Sequence, residues 1–284
     1  MTTQPPASVE ERLRPLRVAA AQAGSVAGDV TRNVVAAVDL VGSAGEQGAR
    51  VVVLPELFLT GYDPASWGAS PESLVTVDDS RLQPLAEAAR AHEVVVVVGG
   101  AVRRDHRATL SLLVFDATGE VSAPYDKQHL FADEQGFFTA GDHGASLVVD
   151  GWELGLGICY DGCFPAHASA AADDGALAYL CPSAYYVGSE HRRDLYYAAR
   201  ALDNGMYVVF SGLVGHCGSH EFNGGSAIYG PEGVPVERLG IQDAAFAIAD
   251  LDAAAITRAR RKNPLRRDRL DSLGERARQV MGAG

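Results

Sequence analysis

Gly155-Leu-Gly-Ile-Cys159-Tyr-Asp161-Gly-Cys-Phe-Pro165 is the stretch on which the reading of this chain turns. Glu153 to Cys159 has the length and apolar content of a buried strand. A turn follows, and a helix-forming segment runs from about Pro165 to Ala172. A strand that passes directly through a turn into a helix belongs to a layered α/β protein. It leaves its last residue, a cysteine, exposed at the junction with backbone N–H groups nearby. That setting lowers a thiol pKa from its free value of roughly 8.5. Taken alone, the residue is better explained as a small, inert core cysteine.

Upstream, the apolar strands Leu16 to Gln22, Val51 to Leu54 and Val94 to Gly99 alternate with helix-period stretches at Thr31 to Gln47 and Ser80 to His92. This pattern predicts a sheet covered by helices. The character changes at Leu110, where Leu110 to Ala117, Gly119 to Pro124 and Ser146 to Val149 follow one another across turns, as in a mixed or antiparallel sheet. Beyond the cysteine come a strand at Ala178 to Leu180, a helix at His191 to Asn204, and strands at Met206 to Phe210, Gly225 to Tyr229, Val234 to Glu237 and Ala245 to Leu251. No linker, short repeat or low-complexity tract interrupts them. One domain of stacked layers is expected over residues 15–262, with a flexible leader over 1–14 and an extension over 263–284.

The bulk numbers set the class. A chain of 284 residues, 47% hydrophobic and 21% charged, reads as an ordinary soluble globular protein. Its net charge of −12 argues against nucleic acid or an anionic membrane as partner. The Arg-rich stretch Arg258 to Arg269 is expected to be a solvated or intersubunit face. Apolar runs such as Val94 to Val98 are strand-sized rather than membrane-spanning, and the first residues carry no apolar signal core. Cysteines 159, 163, 181 and 217 form no CxxC pairs, so a cytoplasmic protein with reduced thiols is expected. His216-Cys-Gly-Ser-His220 reads as a polar loop rather than a zinc site, and no metal or cofactor is expected. Without a GxSxG elbow there is no serine hydrolase signature.

Hydrolysis of an unactivated amide needs a nucleophile, a base that later serves as an acid, and donors for the developing oxyanion. Three segments offer such groups, each at the end of a strand-like run. Val51-Val-Val-Leu-Pro-Glu56 sets a carboxylate directly after a buried strand, where an apolar setting raises its pKa towards neutrality. The plainer reading is a glutamate that pairs at the strand edge. Tyr125-Asp-Lys127-Gln-His-Leu-Phe131 holds one of only two lysines, the other being Lys262. A compact ammonium suits a small tetrahedral oxyanion better than an arginine fork, although most lysines are simply on the surface. Cys159 is the third.

In this order and at this spacing, VVxLPE, YxKxHLF and GxxICYDxxFP resemble the signatures of the nitrilase, or carbon–nitrogen hydrolase, superfamily. Pro182-Ser-Ala184, Arg200-Ala-Leu-Asp-Asn204, Phe222-Asn-Gly-Gly-Ser226 and Asp250-Leu-Asp252 extend the likeness over nearly the whole chain. The resemblance implies an αββα sandwich, paired in a homodimer or a higher homo-oligomer, and a Glu–Lys–Cys triad of Glu56, Lys127 and Cys159. It also implies a second glutamate at Glu134, with Asp133 as the alternative, and an oxyanion held by Lys127 and the Tyr160 backbone N–H. Tyr62, Trp67, His129, Phe131, Tyr185 and Tyr186 are candidates to line a pocket, Tyr62 and Tyr185 first among them. The helix from His191 to Asn204 and the C-terminal extension are candidates for a dimer contact.

The chain departs from the family pattern at Phe164-Pro165-Ala166 and Ser169, where relatives often carry FPE and an arginine three residues on. It also departs at Ser211-Gly212, and at Asp126 before the lysine. The reaction implied is release of ammonia from a small linear carboxamide through a Cys159 thioester, by an amidase-type member. An N-carbamoyl amine or amino acid hydrolase, then a nitrile hydrolase, are the alternatives among enzymes. A catalytically silent interaction module is the alternative outside them. The acidic balance of the chain suggests a cationic amide.

Overall fold

Two six-stranded sheets carry the chain, and each is built on the same plan. A computed structural model describes residues 13–69, 71–241 and 244–282. The first sheet contains β1 (Leu16–Gln22), β2 (Val51–Val53), β3 (Val95–Arg104), β4 (Arg107–Phe115), β5 (Val121–Asp126) and β14 (Ala245–Leu251), in the order β14-β1-β2-β3-β4-β5. The second contains β6 (Ser146–Val149), β7 (Trp152–Leu156), β8 (Ala178–Ser183), β9 (Tyr207–Gly212), β12 (Ala227–Tyr229) and β13 (Pro235–Arg238), in the order β13-β12-β9-β8-β7-β6. Three neighbouring strands run parallel in each sheet, β1-β2-β3 and β7-β8-β9, and antiparallel strands flank them.

Side-chain alternation along the strands decides how the layers stack. In β8 and β9, Ala178, Leu180, Tyr207 and Val209 join the central core with β1 residues such as Val18 and Ala20. The alternate residues Tyr179, Cys181, Val208 and Phe210 pack instead on Ala168 and Ala172 of α3 (Pro165–Asp173) and on Tyr197 and Ala201 of α4 (Glu190–Asn204). One face of the sheet therefore meets the other sheet, and its opposite face meets helices. The first sheet is covered by α1 (Val30–Glu46), whose buried stripe Val30, Val34, Ala37, Val41 and Ala44 follows the helical period, and by α2 (Gln83–Ala91). The architecture is the expected αββα sandwich. The sheets also touch through polar groups. Gln22 Oε1 accepts from the N–H groups of Gly225 (2.7 Å) and Ser226 (3.1 Å), and the Ser226 hydroxyl donates to the Ala21 carbonyl at 3.0 Å.

The strands expected at Leu16 to Gln22, Ser146 to Val149 and Ala245 to Leu251 agree with the fold to the residue. Two expectations need correction. The strand before the cysteine ends at Leu156 rather than Cys159, because Cys159 has φ of +45° and opens a 3₁₀ turn, Cys159–Cys163. The polar loop around His216 to His220 is a hairpin of β10 (Val214–Cys217) and β11 (His220–Asn223). The basic stretch Arg258 to Arg269 is largely exposed, as a solvated face would be. It spans the end of α5 (Ala253–Lys262) and α6 (Leu265–Asp268), and Arg266 and Arg269 both pair with Asp173 of α3, at 3.1 and 2.7 Å.

Of the leader read over residues 1–14, all but Leu13 and Arg14 lie outside the described residues; the Trp152 indole N–H donates to the Arg14 carbonyl at 2.9 Å. No helix among the described residues is long and apolar enough to cross a membrane.

Candidate active site

Three strand ends converge between the sheets. β2 stops at Val53, and Leu54-Pro55 carries the chain to Glu56, whose side chain has no exposure. This turn lies so close to β3 that a methyl group on Gly99 would stand 2.4 Å from the Leu57 nitrogen and 2.7 Å from the Glu56 Cα. Only glycine allows the approach. Leu57 itself has φ of +49°, so the backbone is turned tightly to aim the carboxylate inward. β5 ends at Asp126 and delivers Lys127, also with no exposure. The third end is the turn that carries Cys159.

Lys127 Nζ donates to Glu56 Oε1 at 2.6 Å and to Glu134 Oε2 and Oε1 at 2.7 and 2.9 Å. Glu134 lies in a 3₁₀ turn, Ala132–Gly136, and is buried, whereas Asp133 beside it is exposed. The geometry therefore selects Glu134. Its oxygens also accept from the Tyr62 hydroxyl (2.6 Å) and the Phe131 N–H (2.9 Å). Glu56 Oε2 is buried with no hydrogen-bond partner, and the Cys159 thiol is near enough to act on the Glu56 carboxyl. The thiol is half-buried and directed at the Ala184 carbonyl, 3.7 Å away.

Burial, and after it the Glu134 charge, lift the Glu56 carboxyl to about 7 against the opposing pull of Lys127. Burial alone would lower the Lys127 pKa, but the two carboxylates outweigh it and hold the ammonium charged. The Cys159 thiol is pushed up, first by burial and then by the Glu56 charge. This reverses the expectation of a lowered thiol pKa. The turn is too short to focus a helix dipole, and a carboxylate faces the sulfur. The resting sulfur of Cys159 is therefore a protonated thiol.

The cysteine turn is held from beneath. Asp161, fully buried, accepts from the N–H of Ile158 (3.0 Å), the N–H of His129 (2.8 Å) and the Tyr125 hydroxyl (2.7 Å), with His129 Nδ1 at 2.8 Å. Tyr125 precedes Lys127 by two residues, and Asp161 follows Cys159 by two. One carboxylate thus ties the lysine strand to the cysteine turn. Sequence reading gave Asp161 no part in the site. The signal was there, as a lone acid two residues after the cysteine, but its donors come from distant segments.

A cavity of about 70 Å³ opens onto Cys159 and Glu134. Four of the candidates for a pocket, Tyr62, Phe131, Tyr185 and Tyr186, line it, together with Tyr160. Trp67 packs behind Tyr62 (ring centroids 5.4 Å), and His129 stacks on Phe164 (4.0 Å), so neither of these two expected residues forms a wall. Cys163 does, its sulfur 3.3 Å from the Tyr185 hydroxyl, while Cys181 is core. Arg192 also lines the cavity. Sequence reading passed over it. Larger grooves lie elsewhere, one of about 580 Å³ beside β13 and α5, but no cysteine lines it.

The family model for carbon–nitrogen hydrolases matches residues 17–261. The chain belongs to the carbon–nitrogen hydrolase family. It is 34% identical over 230 residues to a hydrolase of Pseudomonas protegens encoded in the pqqF 5′ region, covering 79% of each chain. It is 32% identical over 190 residues to the 2-oxoglutaramate amidase of Bacillus subtilis, covering 65% of this chain and 71% of that one. Among solved structures it resembles a nitrilase-superfamily amidase from Nesterenkonia sp. AN1, with a TM-score of 0.78, 28% identity, and coverage of 92% of this chain and 100% of that one. In that structure the acetamide moiety of fluoroacetamide is covalently added at the active-site cysteine. The carbon–nitrogen hydrolase is thus an enzyme of amide chemistry, and the buried cluster is its candidate active site.

Proposed function

We propose that the enzyme hydrolyses a small linear carboxamide to the carboxylic acid and ammonia through a thioester on Cys159. The carrying observation is the buried Glu56–Lys127–Glu134 cluster next to a thiol held in a left-handed turn. Glu56 takes the thiol proton, and the sulfur attacks the amide carbon. The negative charge that develops on the oxygen is met by Lys127 Nζ and the Tyr160 backbone N–H. Glu56 then passes its proton to the nitrogen, the C–N bond breaks, and ammonia leaves. A water molecule gives a proton to Glu56 and attacks the thioester carbon. The C–S bond breaks, the acid departs, and the proton returns to sulfur. A carboxyl near 7 can serve as both base and acid in one cycle. Glu134 keeps the ammonium in place and, with Tyr62, frames the substrate end of the cavity. The covalent addition at the cysteine of the Nesterenkonia amidase supports this reading.

Arg192 favours one kind of amide. Its neighbour Arg193 spends its guanidinium on Asn223, Gly224 and Asp194, whereas the Arg192 side chain has no hydrogen bond or ion pair among the described residues and lines the cavity. An unpaired cation at the open end suits an amide with a carboxylate at its far end, as in the substrate named for the Bacillus relative, rather than the cationic amide suggested by net charge.

An ammonia-release screen over amides, ureido compounds and nitriles tests the proposal. Carboxamides are expected to release ammonia without carbon dioxide, and Cys159→Ala to lower the rate at least about a thousandfold. Equimolar carbon dioxide would move the reading to a carbamoyl substrate. Release undiminished in Cys159→Ala would overturn the thioester, and release from no compound would favour the silent module.

A further inference from the structure

Behind the cysteine turn lies a cluster of buried titratable groups that the hydrolysis does not use. His167, on the first turn of α3, stands between two tyrosines. Its Nε2 is 2.8 Å from the Tyr125 hydroxyl and its Nδ1 is 2.8 Å from the Tyr179 hydroxyl. The directions of these bonds follow by elimination. Asp161 already accepts a backbone N–H at each carboxylate oxygen, and the single Tyr125 proton goes to its Oδ2. The Tyr125 oxygen can then only accept from His167, so Nε2 carries the hydrogen. Burial lowers the His167 pKa and keeps the ring neutral. Nδ1 is therefore bare and accepts from Tyr179.

We propose that Tyr179, His167 and Tyr125 form a one-way hydrogen-bond chain that fixes the Asp161 carboxylate and thereby holds the Cys159 turn in register with Lys127. These are positioning residues and touch no substrate. The chain stands where α3 offers no charged pair to brace the turn, since Ala166 carries no charge and Ser169 instead accepts from Arg269 at 2.6 Å. The positive φ of Cys159 needs such a brace, because a non-glycine residue there relaxes unless its surroundings prevent it. That the turn serves amide hydrolysis rests on the function proposed above; the hydrogen-bond chain itself does not.

Three readouts test the chain, two of them independent of turnover. Nitrogen-15 NMR of the imidazoles at neutral pH, with His167 assigned by loss of its signals in His167→Gln, is expected to show Nε2 protonated and Nδ1 bare. An Nδ1–H tautomer, or a charged ring, would overturn the proposal. In kinetics, Tyr125→Phe is expected to lower kcat roughly tenfold to a hundredfold with KM within about twofold, since a misplaced reacting group costs rate rather than binding. Tyr179→Phe should cost less. His167→Gln, which can both donate and accept, should keep more activity than His167→Leu. The alkylation rate of Cys159 by iodoacetamide should fall in the same order. If wild-type enzyme releases no ammonia from any amide, the functional reading fails, while NMR and alkylation still decide the chain. An unchanged kcat and alkylation rate in folded Tyr125→Phe would overturn it.

Discussion

The two sheets share one topology but not one chemistry. In order of position, β1, β2 and β3 correspond to β7, β8 and β9, β14 to β6, β4 to β12, and β5 to β13. Where β1 ends, Gln22 is used to hold the other sheet by two backbone N–H groups. Where β7 ends, the chain turns through a positive φ and presents Cys159. β2 leads to Glu56, and its counterpart β8 leads to Ala184, whose carbonyl faces the thiol. β5 closes on the buried Lys127, but every residue of β13 is exposed. Equal strand ends thus acquire different roles. What separates them is burial of a charge and strain in a turn, neither of which topology supplies.

Removing the charge from one end should break this comparison most severely. Glu56→Gln keeps the shape of the first half and is expected to lower kcat/KM by about 10²-fold to 10⁴-fold, measured as initial ammonia release. Wild-type kcat/KM should rise with pH through about 7 as Glu56 ionises, and this limb should disappear in the glutamine variant. The linkage has the opposite sign. The folded-state pKa of Glu56 is raised above its ordinary value of 4.5, so its contribution to stability is complete below that value and is lost as pH rises through about 7. Thermal unfolding of both proteins across this window checks it, and a wild-type midpoint that gains on the variant with rising pH would contradict the assignment.

A smaller effect is expected from moving the Glu56 turn without changing its charge. Gly99→Ala places a methyl group against the Leu57 nitrogen, and should cost about 1–3 kcal/mol in denaturant unfolding as well as activity. Gly144→Ala, with nothing within 4 Å of the added carbon, should change neither. Smallest of all, Val236→Lys on the exposed β13 should leave turnover within about twofold and stability within about 0.5 kcal/mol. A large loss there would mean that the second sheet's outer edge is not the inert counterpart of β5.

Much of this could be read before the fold was known, and the failures have physical reasons. Runs such as Val51 to Leu54 declare themselves because a strand buried on both faces must be apolar throughout. Glu56, Lys127 and Cys159 could be named together only through a family likeness, since each alone has an ordinary explanation. Glu134 and Tyr62 were both named, but their 2.6 Å contact joins residues far apart in the chain, which local pattern does not encode. The hairpin at Val214 to Asn223 was missed because glycine and histidine dilute its alternation. The thiol pKa was misjudged in sign because strand-to-helix geometry was assumed to dominate, when enclosure and a facing carboxylate do.

The central claim is that the sulfur of Cys159, and not that of the neighbouring Cys163, carries the acyl group. Rapid acid quench during turnover of a small carboxamide, followed by intact mass and peptide mapping, tests it most directly. A mass increase equal to the acyl group on the peptide bearing Cys159, absent from Cys159→Ala and retained in Cys163→Ser, is the expected result. Ammonia release with acyl mass on Cys163, or undiminished in Cys159→Ala, would contradict it.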